Sequence, residues 1–298
     1  MWFLALLAIS DSTTVRLIPV APGESIAVSI TGHGDPVVLL PGLFGSAFGF
    51  RRVTPLMVNA GYQVLTVEPL GLGGSSRPRD ADYSLTAQAE RVAAVLDTLA
   101  LENAIIVGHS ISGSIAMRLA VMRPDLVAGL ISIEGGPAEE ATTPGFRRSM
   151  VFAPLLKLFG GKGLVRNEVR RRLVSASADP SWVTEDILDG YTADATRDVG
   201  ATLDAFKGMA KSSEPWLLAE VLGEIRSPMR LLLGMAPHSA EVPREQVELL
   251  RNSVATFAID KVADVGHFIF EERPEAVMAT LLLLQVDRAK TALFPVGS

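Results

Sequence analysis

The clearest signal along the chain is a repeated exchange of short apolar runs for longer stretches with one apolar face. Val37-Val38-Leu39-Leu40 is closed by Pro41-Gly42, which predicts a buried strand ending in a turn. Gln63 to Val67 repeats the pattern and leads into the glycine-rich loop Glu68-Pro69-Leu70-Gly71-Leu72-Gly73-Gly74. Between Thr86 and Leu99 the apolar positions Val92, Val95, Leu96 and Leu99 return at helical spacing. Ala104 to Val107 predicts a further strand, Ser112 to Met122 a helix stopped at Arg123-Pro124, and Val127 to Ile133 another strand. The alternation lapses after Gly135-Gly136-Pro137. From there to about Arg226 come helix-like pieces broken by Pro, Gly and Ser, with no convincing buried strand. Strand and helix then resume: Met229 to Gly234, a helix from about Pro243, a strand from Ala255 to Ile259, and a last helix near Pro274 to Leu284.

Repeated strand–helix units imply an α/β fold with a mostly parallel central sheet and helices on both faces. The predicted organisation is a core in two parts, residues 1–136 and 227–298. A helical cap, residues 137–226, is inserted between two core strands and lies over the strand ends. Composition narrows the chemistry. The 298 residues contain no cysteine, so thiol nucleophiles, disulfides and thiolate metal sites are excluded. A net charge of −6, from 33 acidic and 27 basic side chains, argues against a protein built to grip a polyanion. Imidazole chemistry must come from four histidines, His33, His109, His238 and His267.

The N-terminus, Met1-Trp2-Phe3-Leu4-Ala5-Leu6-Leu7-Ala8-Ile9-Ser10, is far shorter than the roughly 20 apolar residues that cross a bilayer. It would suit the hydrophobic centre of a signal peptide, but no Lys or Arg precedes it. A docked or loose terminal segment and a cytoplasmic protein are expected. A secreted or periplasmic location is the alternative if residues 1–10 belong to a signal peptide. No other stretch reads as a membrane span.

The sharpest local feature is Ile105-Ile106-Val107-Gly108-His109-Ser110-Ile111-Ser112-Gly113, a strand running into a helix with a serine at the corner. A strained turn there lifts a hydroxyl clear of the sheet, and the helix that follows aims its first N–H groups at the reacting centre. The plainer reading is a serine capping an ordinary helix. The segment resembles the nucleophile elbow of the α/β-hydrolase fold, Gly-x-Ser-x-Gly, with Ser112 where the second glycine falls and Gly113 immediately after. The order of the other pieces fits capped serine hydrolases of that superfamily. The resemblance implies Ser110 as nucleophile. Pro41-Gly42-Leu43-Phe44-Gly45-Ser46 stands where the family has His-Gly and an apolar residue, so Leu43 and Ile111 are implied as oxyanion-hole N–H donors. Val265-Gly266-His267-Phe268, past the last strand, matches the family's Gly-His pair and implies His267 as base. His33 reads as an exposed loop residue, and His109 as a support for the turn with its side chain away from Ser110.

The acid is less direct. Most relatives place an Asp a few residues after the glycine that closes the penultimate strand. Here Gly234-Met235-Ala236-Pro237-His238-Ser239-Ala240-Glu241 has no Asp, and its carboxylate is Glu241. Another position used in this fold is the end of the strand after the elbow helix, occupied by Glu134. Glu134 is favoured as the triad acid; Glu241, another group or a dyad remain alternatives. Asp264 reads as structural. The run Arg166-Asn167-Glu168-Val169-Arg170-Arg171-Arg172 reads as a solvated helix face rather than a site for an anionic substrate.

Together these features predict a serine hydrolase that cleaves carboxylic esters of hydrophobic, uncharged small molecules through an acyl-enzyme. Leu43, Phe44, Phe48, Ile111 and Phe268 supply the apolar surroundings, with Phe44 and Phe268 against the substrate. No cofactor, metal or nucleic acid is expected. Ser110 argues against dehalogenases and epoxide hydrolases of this fold, which use Asp as nucleophile. Carbon–carbon bond hydrolysis, lactone hydrolysis or peracid formation with the same triad is the enzymatic alternative. A ligand-binding member of the fold without turnover is the non-enzymatic one.

Overall fold

The computed structural model describes residues 12–142, 146–148 and 161–293. Its centre is an eight-stranded sheet: β1 (Thr14–Ala21), β2 (Glu24–Thr31), β3 (Asp35–Leu40), β4 (Tyr62–Val67), β5 (Ala104–His109), β6 (Val127–Ile133), β7 (Met229–Gly234) and β8 (Phe257–Val262). The spatial order is β1-β2-β4-β3-β5-β6-β7-β8. Strands β4 to β8 and β3 run parallel, whereas β1 pairs antiparallel with β2 and β2 with β4.

The continuous apolar runs belong to strands buried on both faces, as a covered parallel sheet requires. Val38 and Leu40 of β3 share one layer with Leu65, Ile106, Leu130 and Leu231. Helices α2 (Leu85–Thr98) and α3 (Ile111–Met122) cover that face, burying Val92, Leu96, Ile115 and Leu119 in the same layer. Val37 and Leu39 face the other way, with Ile105, Val107, Ile131 and Leu232, under α1 (Thr54–Asn59) and the C-terminal helix. Ser84 starts α2 by accepting the Ala87 N–H at 3.1 Å, which satisfies a donor the helix leaves over.

Between β6 and β7 the described chain is helical: α4 (Lys162–Ser175), α5 (Glu185–Arg197), α6 (Val199–Lys211) and the short α7 (Leu218–Val221). Val165, Val169 and Leu173, four residues apart along α4, pack on Leu188 and Tyr191 of α5 in a cluster of their own. Leu203 and Phe206 of α6 turn inward, and Phe206 joins the main core with Leu218 of α7. The arginine run of α4 is largely engaged in ion pairs: Arg166 with Glu185 and Asp189, Arg170 with Glu185, and Arg171 and Arg172 with Glu168. After β7 come α8 (Arg244–Ser253), α9 (Ile269–Glu272) and α10 (Pro274–Leu293).

The structure differs from the sequence expectation at the edges. The β1–β2 hairpin and α1 carry no strong pattern; in β1 only Ile18 is buried, and the apolar Val15 and Leu17 face solvent. The strand expected at 255–259 lies at Phe257–Val262, and the last helix runs nine residues past Leu284 to Leu293. Met1 to Ser10 lies outside the described residues. Among the described residues no helix is long and apolar enough to cross a membrane.

One buried cation ties the helical insertion to the core. Arg118 of α3 is fully buried and bonds Glu214 at 3.0 Å and Glu139 at 2.8 Å, while Glu214 also accepts the Leu85 and Thr86 N–H groups at the head of α2. Replacing Arg118 with Met leaves the Glu214 charge buried without its cation. The expected loss is about 3–5 kcal/mol of unfolding free energy, measurable by urea denaturation.

Candidate active site

Ser110 heads α3 with φ 55° and ψ −125°, a conformation that L-residues rarely adopt. It exists here because small residues surround it. A Cβ on Gly108 would lie 2.3 Å from the Ser112 carbonyl oxygen, one on Gly113 2.1 Å from Ser132 Oγ, and one on Gly135 2.2 Å from the Ser110 carbonyl oxygen. The Ser110 side chain makes no capping bond to α3, so it is left available to the cavity, unlike a capping serine. Ser112, where the family pattern has glycine, is fully buried and donates to the Pro41 carbonyl at 2.7 Å. The two departures from the family pattern therefore touch each other.

Gly42-Leu43-Phe44-Gly45 forms a turn closed by the Gly45 N–H on the Gly42 carbonyl at 2.8 Å, with Phe44 at φ 66°. A bulky side chain at positive φ costs roughly 1–2 kcal/mol, and here it packs its ring on Phe206 at 5.0 Å and Phe146 at 5.9 Å. Leu43 and Ile111 both line the cavity, and the Ile111 N–H belongs to the first turn of α3 and has no intrahelical acceptor.

Glu134 follows β6 at φ 52°, and its carboxylate is buried. Oε1 accepts the Gly234 N–H from the end of β7 at 2.5 Å. Oε2 lies 3.9 Å from His267 Nδ1 and 3.5 Å from His238 Nε2. Burial by itself pushes this carboxyl upward, but the two imidazoles and the Gly234 N–H outweigh it and hold it below its ordinary value of 4.5. His267 is fixed through its backbone, its N–H donating to the Ala176 carbonyl at the end of α4 at 2.7 Å. Glu272 completes that corner by accepting the Gly266, Ala178 and Asp179 N–H groups at 3.1, 2.9 and 3.0 Å. A Cβ on Gly266 would fall 2.5 Å from the Ala176 carbonyl oxygen, so the approach requires glycine.

His109 is buried, its ring 4.6 Å from that of His267 and its Nε2 3.3 Å from the His267 carbonyl oxygen. Burial, and then the neighbouring His267, depress its basicity well below the usual imidazole range. His109 therefore stays neutral while packing against His267.

The candidate residues meet at one cavity of about 760 Å³. Ser110, His267, Glu134, Leu43, Ile111, Phe44 and Phe268 all face it, and so does Glu241. Glu241 is exposed and accepts the His238 N–H at 3.2 Å. Phe48, expected among the apolar surroundings, is not on the cavity wall; it packs on Tyr191 at 5.6 Å and carries the Arg51 guanidinium at 4.4 Å. His33 and Asp264 are exposed. Arg172, read from sequence as part of a solvated face, turns its guanidinium onto the Phe44 ring at 4.8 Å and contributes to the cavity wall.

Sequence reasoning did not find Phe146, Tyr191 or the Gly234 N–H, none of which has a local signal. Tyr191 donates to Glu271 at 2.6 Å, and Glu271 is held bidentately by Arg51. Among the described residues Glu134, His238 and His267 are also close enough to share a metal ion. However, the Ala240 N–H donates to His238 Nδ1 at 3.2 Å, so neutral His238 carries its proton on Nε2 and presents a donor, not a lone pair, to the carboxylate.

The fold and this rim of strand ends define an α/β hydrolase. The chain belongs to the alpha/beta hydrolase family, whose profile matches residues 37–280. It is 26% identical over 247 residues to the uncharacterized hydrolase YugF of Bacillus subtilis (strain 168), covering 81% of this chain and 86% of that protein. It is 32% identical over 199 residues to a 2-hydroxy-6-oxononadienedioate/2-hydroxy-6-oxononatrienedioate hydrolase of a Pseudomonas species, covering 61% of this chain and 66% of that protein. A thermophilic esterase from Thermogutta terrifontis has the same fold, with a TM-score of 0.73 at 20% identity over 90% or more of both chains (93% and 99%).

The depressed Glu134 carboxyl has a consequence for stability. Its folded value lies below its unfolded one, so its contribution is present above about pH 4.5 and is lost as pH falls through the folded value. Urea midpoints measured from pH 6 to pH 3 are expected to drop more steeply for the parent than for Glu134→Gln.

Proposed function

We propose that this chain is a serine carboxylic-ester hydrolase. Ser110 is the nucleophile, His267 the base, Glu134 the acid, and the Leu43 and Ile111 N–H groups the oxyanion hole. The observation that carries the reading is the Ser110 backbone, held at φ 55° on a cavity shared with His267 and Glu134. Strain of roughly 1–3 kcal/mol persists only where the surroundings over-determine it, and a helix cap needs none.

In this mechanism His267 takes the Ser110 proton as Oγ attacks the ester carbonyl carbon. The charge that develops on the carbonyl oxygen meets two preorganised N–H groups, each worth about 3 kcal/mol in such sites. His267, now an imidazolium stabilised by Glu134, returns the proton to the departing alcohol. The resulting acyl-enzyme is cleared by a water that His267 deprotonates, and Ser110 is restored. The 3.9 Å between His267 and Glu134 is long for a hydrogen bond, as catalytic contacts often are before substrate closes the site.

Residues 137–226 serve as the cap over this centre. Leu43, Phe44, Ile111, Phe146, Phe268 and Phe270 give the cavity its apolar walls, which favour an uncharged, hydrophobic acyl or alcohol group. The same nucleophile would serve carbon–carbon hydrolysis, the enzymatic alternative that the sequence leaves open.

The first experiment is turnover of p-nitrophenyl esters of graded chain length beside labelling with a fluorophosphonate. Turnover with preference for apolar acyl chains is expected, together with labelling that Ser110→Ala abolishes. Absence of both in folded protein would end the enzymatic reading. Ser110→Ala is expected to lower kcat at least about a thousandfold. Glu134→Gln should lower it by about two to four orders of magnitude, and Glu241→Gln by less than about twofold. The reverse order would move the acid to the later loop.

A further inference from the structure

Glu134 has a second imidazole against it that the triad does not use. The His238 side chain is fully buried, and its Nε2 lies 3.5 Å from Glu134 Oε2, the same oxygen that faces His267 Nδ1 at 3.9 Å. Neither nitrogen has a full hydrogen bond among the described residues, although both are buried. The Ala240 N–H at Nδ1 puts the proton of neutral His238 on Nε2, the nitrogen that lies 3.5 Å from the carboxylate. His238 does not line the cavity, whereas Glu134 and His267 do.

The need for such a donor follows from the choice of acid. A glutamate has one more rotatable bond than an aspartate, so a carboxylate carried on β6 requires more fixing to stay aimed at the base. Gly234 pins one oxygen by its N–H. The other oxygen would be free to swing unless something holds it.

Resting on the triad reading above, we infer that His238 is a positioning residue for the Glu134–His267 pair. It donates to Glu134 Oε2, fixes the plane of the carboxylate, and shares the negative charge that stabilises the His267 imidazolium. Two donors on one oxygen divide its charge, so His238 lowers the basicity that Glu134 would otherwise confer on His267. The ionisable groups around the pair are Glu134 at the end of β6, His109 at the end of β5, Glu241 on the loop of His238 itself, and Glu272 behind Gly266.

Two substitutions separate this role from a structural one. Gln at 238 carries an amide N–H to the position of Nε2 and can reach the carboxylate. Asn at 238 keeps an acceptor for the Ala240 N–H, and so keeps the loop, but cannot reach Glu134. With four histidines in the chain, the His267 ring can be assigned by substitution and its titration midpoint followed by NMR without any substrate. His238→Asn is expected to raise that midpoint, and the acid limb of the pH profile of kcat/KM or of fluorophosphonate labelling, by about half a unit or more. Its kcat falls about tenfold while KM is unchanged, and His238→Gln restores most of both. A His267 midpoint and kcat in His238→Asn that match the parent, where Glu134→Gln is crippled, would overturn the inference alone. Equal losses in Asn and Gln with no shift of the midpoint would also overturn it, leaving a merely structural loop. Parental turnover in Glu134→Gln would instead remove the triad reading and this inference together.

Discussion

Ser110 keeps its unusual φ because β5 and α3 meet so closely that neighbouring positions leave no room for a side chain. Gly108, Gly113 and Gly135 approach backbone or hydroxyl oxygens at distances no Cβ tolerates, and Ser112 fits only by burying its hydroxyl on the Pro41 carbonyl. That contact also seats the turn that carries Leu43 and Phe44. A single close approach therefore sets the exposure of the hydroxyl, the direction of the first α3 N–H and the placement of the facing turn. Among the described residues, three of the six non-glycine positions at positive φ, namely Phe44, Ser110 and Glu134, stand on the cavity wall. Strain gathered in this way is paid by the packing of the doubly covered sheet beneath it.

Electrostatics at the rim follow from burial. The Glu134 carboxylate is out of water yet remains ionised more readily than usual, because three N–H or imidazole partners converge on it. Its neighbour His109 is pushed the opposite way and stays uncharged. Within a few ångströms the site thus holds one committed anion, one committed neutral ring and, between them, the imidazole of His267. Environments that drive neighbouring titratable groups apart are how acid and base roles become separated in one cavity.

The interior of the fold was legible in the sequence, and its margins were not. Val37 to Leu40 and Ile105 to Val107 are buried on both faces, so their apolar runs are unbroken and their places were readable. Strand β1 buries only Ile18 and puts the apolar Val15 and Leu17 into solvent, so it leaves no strong pattern to read. The corner at Ser110, the pair Gly266-His267 and the strand-end position of Glu134 were readable because each is local to a strand terminus. The contacts that organise them were not, because Gly234 lies 100 residues from Glu134, and Ala176 lies 91 residues before His267. Arg172 shows the same limit: a charged helix face looks solvated in sequence, but its last arginine leans over an aromatic ring that the core supplies.

The corner where α4 meets the His267 loop joins the roof of the cavity to its base. The His267 N–H rests on Ala176, and the Glu272 carboxylate gathers donors from both Gly266 and the residues after Ala176. The two parts are interlocked rather than hinged there. A displacement of that stretch large enough to admit a substrate would unseat the imidazole by the same motion. Entry past any other side of the roof leaves the imidazole undisturbed. Access to the cavity on that side and the seating of the His267 ring thus share a mechanical link at the 176–179 segment.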